Sequence, residues 1–300
     1  MKGFMFRLGL GMMVGWWSFI PAQGEAYLIN EWERLALAGG ERPLDEEPVP
    51  GKNWTDALTG IEFVWIAGGC FQMGSPPWKD GREHDEGPLH QVCLGDYWLA
   101  QREVTQGQWQ AIMRMNPSAF PKGDAYPLER VTWLDAEVIA ANLNERYRGK
   151  ARIRLPTEAE WEYACRERGD DIVYAGRDDV HRVSWNRENS LGSTQMTGTR
   201  QPNRLGLLDM SGNVWEWTQD SYRPDAYSRH NENNPGGVDE GFFKVIRGGG
   251  WKDASGALRC ANRGFERYLS KRHDLGFRLA AVVDVASVDG KRPPLFEIPF

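Results

Sequence analysis

The stretch that most limits what this chain can fold into lies beyond Gly169. From there to Ala281 helical periodicity ends, and the chain runs through glycines, asparagines, tryptophans and short apolar pieces. With 34 glycines and 14 tryptophans in 300 residues, many backbone positions can take φ > 0 or approach a neighbouring strand closely, and large aromatic rings anchor them. The expectation is a loop-rich fold held together by large aromatic anchors. A hydrophobic fraction of 41% supplies a sizeable core and excludes wholesale disorder, a collagen-like fibre or a coiled coil. The length fits one large domain or two small ones. A net charge of −6 with no basic stripe argues against a nucleic-acid partner. No internal repeat or low-complexity tract is present.

Lys2 and Arg7 precede an uncharged stretch from Leu8 to Ile20, followed by Pro21-Ala22-Gln23-Gly24-Glu25-Ala26. This is the layout of a secretory signal with a small-residue cleavage site, and residues 1–24 are read as one. The apolar stretch falls short of the roughly 20 residues a spanning helix needs, and no other segment qualifies. A periplasmic or secreted protein without a membrane span after cleavage follows. Residues 25–60 read as a charged approach segment with a short helix around Glu31 to Ala38, residues 61–283 as the main domain, and residues 284–300, with three prolines, as an extended strap.

Export makes the four cysteines candidates for two disulfides. They allow three pairings. Cys70 and Cys93 flank a polar loop rich in Gly and Pro, whereas Cys165 and Cys260 lie far apart, so the expected pairs are Cys70 with Cys93 and Cys165 with Cys260. Neither pair has the close C-x-x-C spacing of a zinc or thioredoxin-like site.

Phe63 to Ile66 reads as a strand running into Gly68-Gly69, with Cys70 to Met73 as its hairpin partner. Three helices are announced by their caps. Thr105 precedes Trp109, Ile112 and Met113; Thr132 to Asp135 opens a stripe of Ala136, Ile139, Leu143 and Tyr147; and Thr157-Glu158-Ala159-Glu160 is a capping box. In the third helix Trp161 and Cys165 share a face, four residues apart, which turns Cys165 inward.

Two runs carry chemistry. In Gly206 to Trp217, the carboxylates of Asp209 and Glu216 bracket a glycine turn that can aim carbonyls at one point, a donor mixture that a hard cation such as calcium accepts. The same spacing describes a tight turn whose carboxylates cap amides. In Val245 to Trp251, a strand enters a glycine turn. It lacks the G-x-G-x-x-G frame and following amphipathic helix of a phosphate cradle, and no G-x-S-x-G elbow of a triad hydrolase is present.

Residues 61–281 resemble the sulfatase-modifying-factor, or formylglycine-generating-enzyme, family. The resemblance rests on Phe63 to Gly74, Glu86 to His90, Glu103-Val104-Thr105, Arg154 to Ala164, Asn203 to Trp217, Arg247 to Trp251 and Gly276-Phe277-Arg278. It implies an irregular α+β fold related to C-type lectins. It also implies a calcium site with side-chain ligands Asp209 and Glu216 and backbone carbonyls of Gly212 and Val214, and a disulfide between Cys165 and Cys260. In formylglycine-generating enzymes a pair of redox cysteines just after the glycine turn binds copper, a role that needs soft thiolates. Here Asp253 stands where the first of them would be, Gly250 replaces a familiar serine, and Cys260 matches the structural disulfide. The resemblance therefore implies a member that does not make formylglycine by the cysteine and copper route.

Two roles follow. One is an oxidative maturation factor for an exported metabolite or protein, because the same fold serves in periplasmic maturation of the siderophore pyoverdine and in iron-dependent sulfoxide synthases. It calls for iron or copper, for which no clear ligand set is visible; His84 and His90, beside Glu83, Asp85 and Glu86, are the nearest to one, though His90 reads more readily as a packing residue and His84 as a solvated surface side chain. The other is a non-catalytic module that binds a ligand or protein in a cleft formed by Trp215, Arg247, Gly250, Trp251 and Asp253, with Trp217 in the core.

Overall fold

The computed structural model describes residues 47–176, 179–236 and 241–283. The signal sequence, the short helix at Glu31 to Ala38 and the strap at 284–300 lie outside them. Three sheets with few, short helices make up the α+β architecture. The first has five strands in the order β1-β2-β5-β11-β6, comprising β1 (Trp54–Thr55), β2 (Glu62–Ile66), β5 (Tyr97–Ala100), β11 (Ala280–Val283) and β6 (Ala151–Arg154). The second has four in the order β10-β7-β8-β9, namely β10 (Leu275–Gly276), β7 (Trp215–Ser221), β8 (Phe243–Arg247) and β9 (Gly264–Arg267). The third pairs β3 (Gly69–Met73) with β4 (His90–Leu94).

Two expectations need correcting. The hairpin partner of Gly69–Met73 is β4, not β2, which lies between β1 and β5. At Gly68 the chain passes so close to the next strand that a Cβ there would sit 2.3 Å from the Leu94 carbonyl oxygen; only glycine allows the crossing into another sheet. The domain also begins before Ile61, because Trp54 pairs with Phe63 in the sheet and stacks on its ring at 4.3 Å.

The three capped helices form as their sequences direct. Thr105, Thr132 and Thr157 each accept from the amide three residues on, with side chains of Gln108, Asp135 and Glu160 reaching back. They open α1 (Gln106–Gln110), α2 (Trp133–Arg146) and α3 (Glu158–Cys165); a one-turn α4 (Val180–Val183) follows. Helix α2 buries Trp133, Ala136, Ile139, Ala140 and Leu143, one stripe of a 3.6-residue period. Helix α3 is buried throughout.

Two apolar clusters form the core, one around Trp98, Tyr147, Trp217 and Phe277, the other around Phe71, Tyr97, Trp161 and the Cys165–Cys260 disulfide. Each fully buried tryptophan contributes up to about 4–6 kcal/mol of transfer free energy, at ~25 cal/mol per Å². Both expected disulfides are present, and no cysteine is free. No helix among the described residues is long and apolar enough to cross a membrane.

Candidate functional site

Strand β8 delivers the chain into the glycine turn. Gly248 and Gly249 take φ 97° and 73°, left-handed values that let the backbone reverse and present residues 250–253 beside β7. Gly250 fits this space because it has no side chain; a Cβ would meet Asp274 Cβ and Trp215 Cδ1, each at 3.2 Å. The Asp253 carboxylate accepts from Trp215 Nε1 at 2.7 Å and from the Gly250 amide at 2.9 Å. Asp253 thus ties the turn to β7, and both donors come from the protein.

Trp251 stands at the surface of this turn, part-exposed. Its amide donates to the Asn213 carbonyl and its indole N–H to the His273 carbonyl, at 2.7 and 3.2 Å. The Phe120 and His273 rings pack against it, with centroids at 5.6 and 5.5 Å. Phe120 is held in turn by its amide, which donates to the buried Glu129 at 2.8 Å. Trp215, Gly250, Trp251 and Asp253 are therefore brought together as the sequence indicates. Phe120 and His273 were missed, since one sits in an aperiodic loop and the other is one of several scattered histidines.

Arg247 is not part of the cleft. It is fully buried and pairs with Glu162 at 2.7 Å and Glu158 at 3.3 Å, while donating to the Cys260 and Ala261 carbonyls. Arg263 closes on Glu158 from the other side at 2.7 Å. Despite the desolvation of these carboxylate oxygens, the guanidiniums around Glu158 hold its carboxyl below the ordinary range. This network fixes α3 against β8.

The run matching the calcium motif makes a strained turn, with Asp209 and Asn213 at φ 56° and 64°. Asp209 is buried. One carboxylate oxygen accepts from the Gly198 amide at 2.6 Å, and the other has no hydrogen-bond partner among the described residues. Burial pushes its pKa up to about 6. Glu103 accepts from the Val214 amide and the Asn213 side chain at 2.9 and 2.7 Å; its own pKa is raised, first by burial and then by Asp209 and Glu216. Glu216 behaves differently from the expectation. Its two oxygens take Arg278 Nε and Nη2 at 2.6 and 2.7 Å, and Trp161 Nε1 at 2.8 Å. Of the two expected side-chain ligands, Asp209 fits a cation, offering an orphaned buried oxygen in a surplus of negative charge, and Glu216 does not, because Arg278 occupies it.

His84 and His90 do not converge. His90 pairs instead with His230, Nε2 to Nδ1 at 3.0 Å. No three His, Cys, Asp or Glu side chains among the described residues form a group that could hold a metal ion.

Fold and site together define a loop-rich, C-type-lectin-related scaffold with a part-exposed aromatic cluster at a glycine turn. The chain belongs to the sulfatase-modifying factor enzyme 1-like domain family, which it matches over residues 46–283. It is 32% identical to the formylglycine-generating enzyme of Bos taurus over 320 residues, covering 87% of this chain and 82% of that one. It is 29% identical to the chaperone protein LppX of Paenibacillus barcinonensis over 240 residues, covering 63% and 78%. The solved structure of PvdO from Pseudomonas aeruginosa is similar with a TM-score of 0.70 at 26% identity, covering 78% of this chain and 99% of that one. The chain spans 39% of the length of the Chlamydia pneumoniae serine/threonine-protein kinase pkn1 that it also matches.

Proposed function

We propose that this protein is an exported maturation factor that carries out a two-electron oxidation, with dioxygen as acceptor, on a metabolite or protein seated at the Trp251 cleft. Its chemistry is independent of the family's thiol route. The observation that carries this reading is that all four cysteines are locked in disulfides while Asp253 holds the turn in place of the first redox cysteine. Copper bound by thiolates then has no ligands at the turn. Trp251, Phe120 and His273 supply a partly exposed aromatic surface against which a planar or apolar group of the substrate packs. Asp253 positions this surface rather than reacting.

A structural calcium ion belongs to the proposal, held by Asp209 with the carbonyls of Gly212 and Val214, where it neutralises the surplus charge of Glu103, Asp209 and Glu216 over Arg278. Periplasmic or secreted residence is supported by the two disulfides, which persist in oxidising compartments.

The test compares the exported fractions of cells with and without this protein by accurate mass. The proposal expects one component to lose two hydrogens, which dioxygen takes up as hydrogen peroxide, with the change restored by the wild-type chain and not by Trp251→Ala. A component that the wild-type chain retains unaltered would support a second reading, a non-catalytic binding module. That reading is favoured by the full engagement of Asp253 within the protein and by the likeness to a protein named as a chaperone.

A further inference from the structure

A second site lies away from the Trp251 cleft and shares no residue with it. A pocket of about 340 Å³ opens where β7 ends, lined by Asp220, Ser221, Arg223, Arg229 and His230 among others. Its wall is fixed to the sheet, because the Cys93 amide donates to the Glu232 carbonyl and the Asn234 amide to the Cys93 carbonyl, each at 2.7 Å. Tyr227 packs on both the His90 and His230 rings, at 4.9 and 5.2 Å.

Hydrogen-bond bookkeeping settles the histidine tautomers. His90 Nδ1 lies 2.9 Å from the Pro88 carbonyl oxygen, which can only accept, so Nδ1 carries the proton. In a neutral His90, Nε2 is then a lone pair and accepts from His230 Nδ1–H at 3.0 Å. His230 Nε2 is left unprotonated, on the side of the ring away from His90. His230 lines the pocket and His90 does not. Burial lowers the pKa of His230 to about 4, which keeps it neutral and a proton acceptor.

The rest of the lining favours an anion. Arg223 and Arg229 share one carboxylate, Asp225, which does not line the pocket, and two guanidiniums on one carboxylate leave a positive charge over. Among the described residues the only lining acid, Asp220, already accepts from the Glu158 amide at 2.6 Å; burial raises its pKa to about 7, so near neutrality it offers an O–H as well.

We propose that this pocket binds a small oxyanion that itself carries an O–H, with Arg223 and Arg229 holding the charged oxygens and His230 Nε2 accepting a hydrogen bond from the O–H. The defining juxtaposition is an unprotonated imidazole nitrogen and two guanidiniums around one cavity. His90 is a positioning residue that fixes the tautomer of His230.

Side-chain ¹⁵N NMR of the full chain tests this without any variant. The expected spectrum assigns His230 as the Nδ1–H form with an unprotonated Nε2. Inorganic phosphate, added near neutral pH, where both of its ions carry an O–H, should shift Nε2 saturably, whereas nitrate, an oxyanion without an O–H, should not. Arg223→Gln and Arg229→Gln, each at a half-exposed side chain, should each weaken phosphate binding about tenfold. An Nε2–H form of His230, an equal response to nitrate, or phosphate binding unchanged in both arginine variants would overturn the proposal.

Discussion

Replacing Glu216 by Gln separates the ion pair from a metal ligand. The Glu216 and Arg278 side chains are both completely buried and meet at 2.6 Å. The substitution preserves shape but removes the charge, and an amide offers one acceptor where three donors converge from Arg278 and Trp161. Arg278 keeps the carbonyls of Ala100, Gln101 and Leu208, which do not neutralise it. Breaking one side of a buried pair costs about 3–5 kcal/mol, a fall in Tm of roughly 6–20 °C for a domain of this size. Urea denaturation in calcium and in chelator should show the same loss. Asp209→Asn should act the other way: nearly neutral in chelator, because the native carboxyl is already pushed toward its protonated form, yet deprived of the calcium increment, about 2.7 kcal/mol at a hundredfold excess over Kd. A Glu216→Gln loss confined to calcium would refute the assignment of that side chain to Arg278.

Further outcomes follow from the same geometry. The pKa of Asp220 is raised to about 7 from 3.8, so the native state binds the extra proton and stability should fall as pH rises from about 4 to about 7; Asp220→Asn should flatten that slope in urea melts, and parallel curves would count against the shift. Removing Cys165–Cys260, with a sequence separation of 95, should cost about 4.7 kcal/mol by loop entropy, against about 3.4 kcal/mol for Cys70–Cys93 at 23. Equal losses in denaturant melts would contradict that order. Gly250→Ala should cost about 1–3 kcal/mol, since its Cβ presses on Asp274 and Trp215; an unchanged melting curve would show that the turn yields.

What the sequence revealed was mostly local. The Thr157 to Glu160 box opens α3 and turns Cys165 inward because cap and period act over four residues. The glycine turn was legible in its own run, and the longer-range disulfide in the cysteine spacing, with the family resemblance in support. The pairings it did not carry are those between distant groups of unremarkable spacing. Glu216 meets Arg278 across 62 positions and His90 meets His230 across 140, and nothing in either local run names the partner. Arg247 was misplaced for a related reason: at a strand end before glycines it reads as a cleft residue, and only the convergence of Glu158 and Glu162 from α3 makes burial of its charge affordable. The switch of Gly69–Met73 to another sheet depends on a backbone approach at Gly68, which a strand signal does not encode.

The central claim is that this member of the family has no thiol to offer. Alkylation of the denatured, unreduced protein followed by peptide mapping tests it most directly. The account predicts no alkylated cysteine and two linked peptide pairs, Cys70 with Cys93 and Cys165 with Cys260. An alkylated cysteine would put a reactive thiol back on the fold and contradict the claim, whereas a different pairing would contradict the two disulfides described.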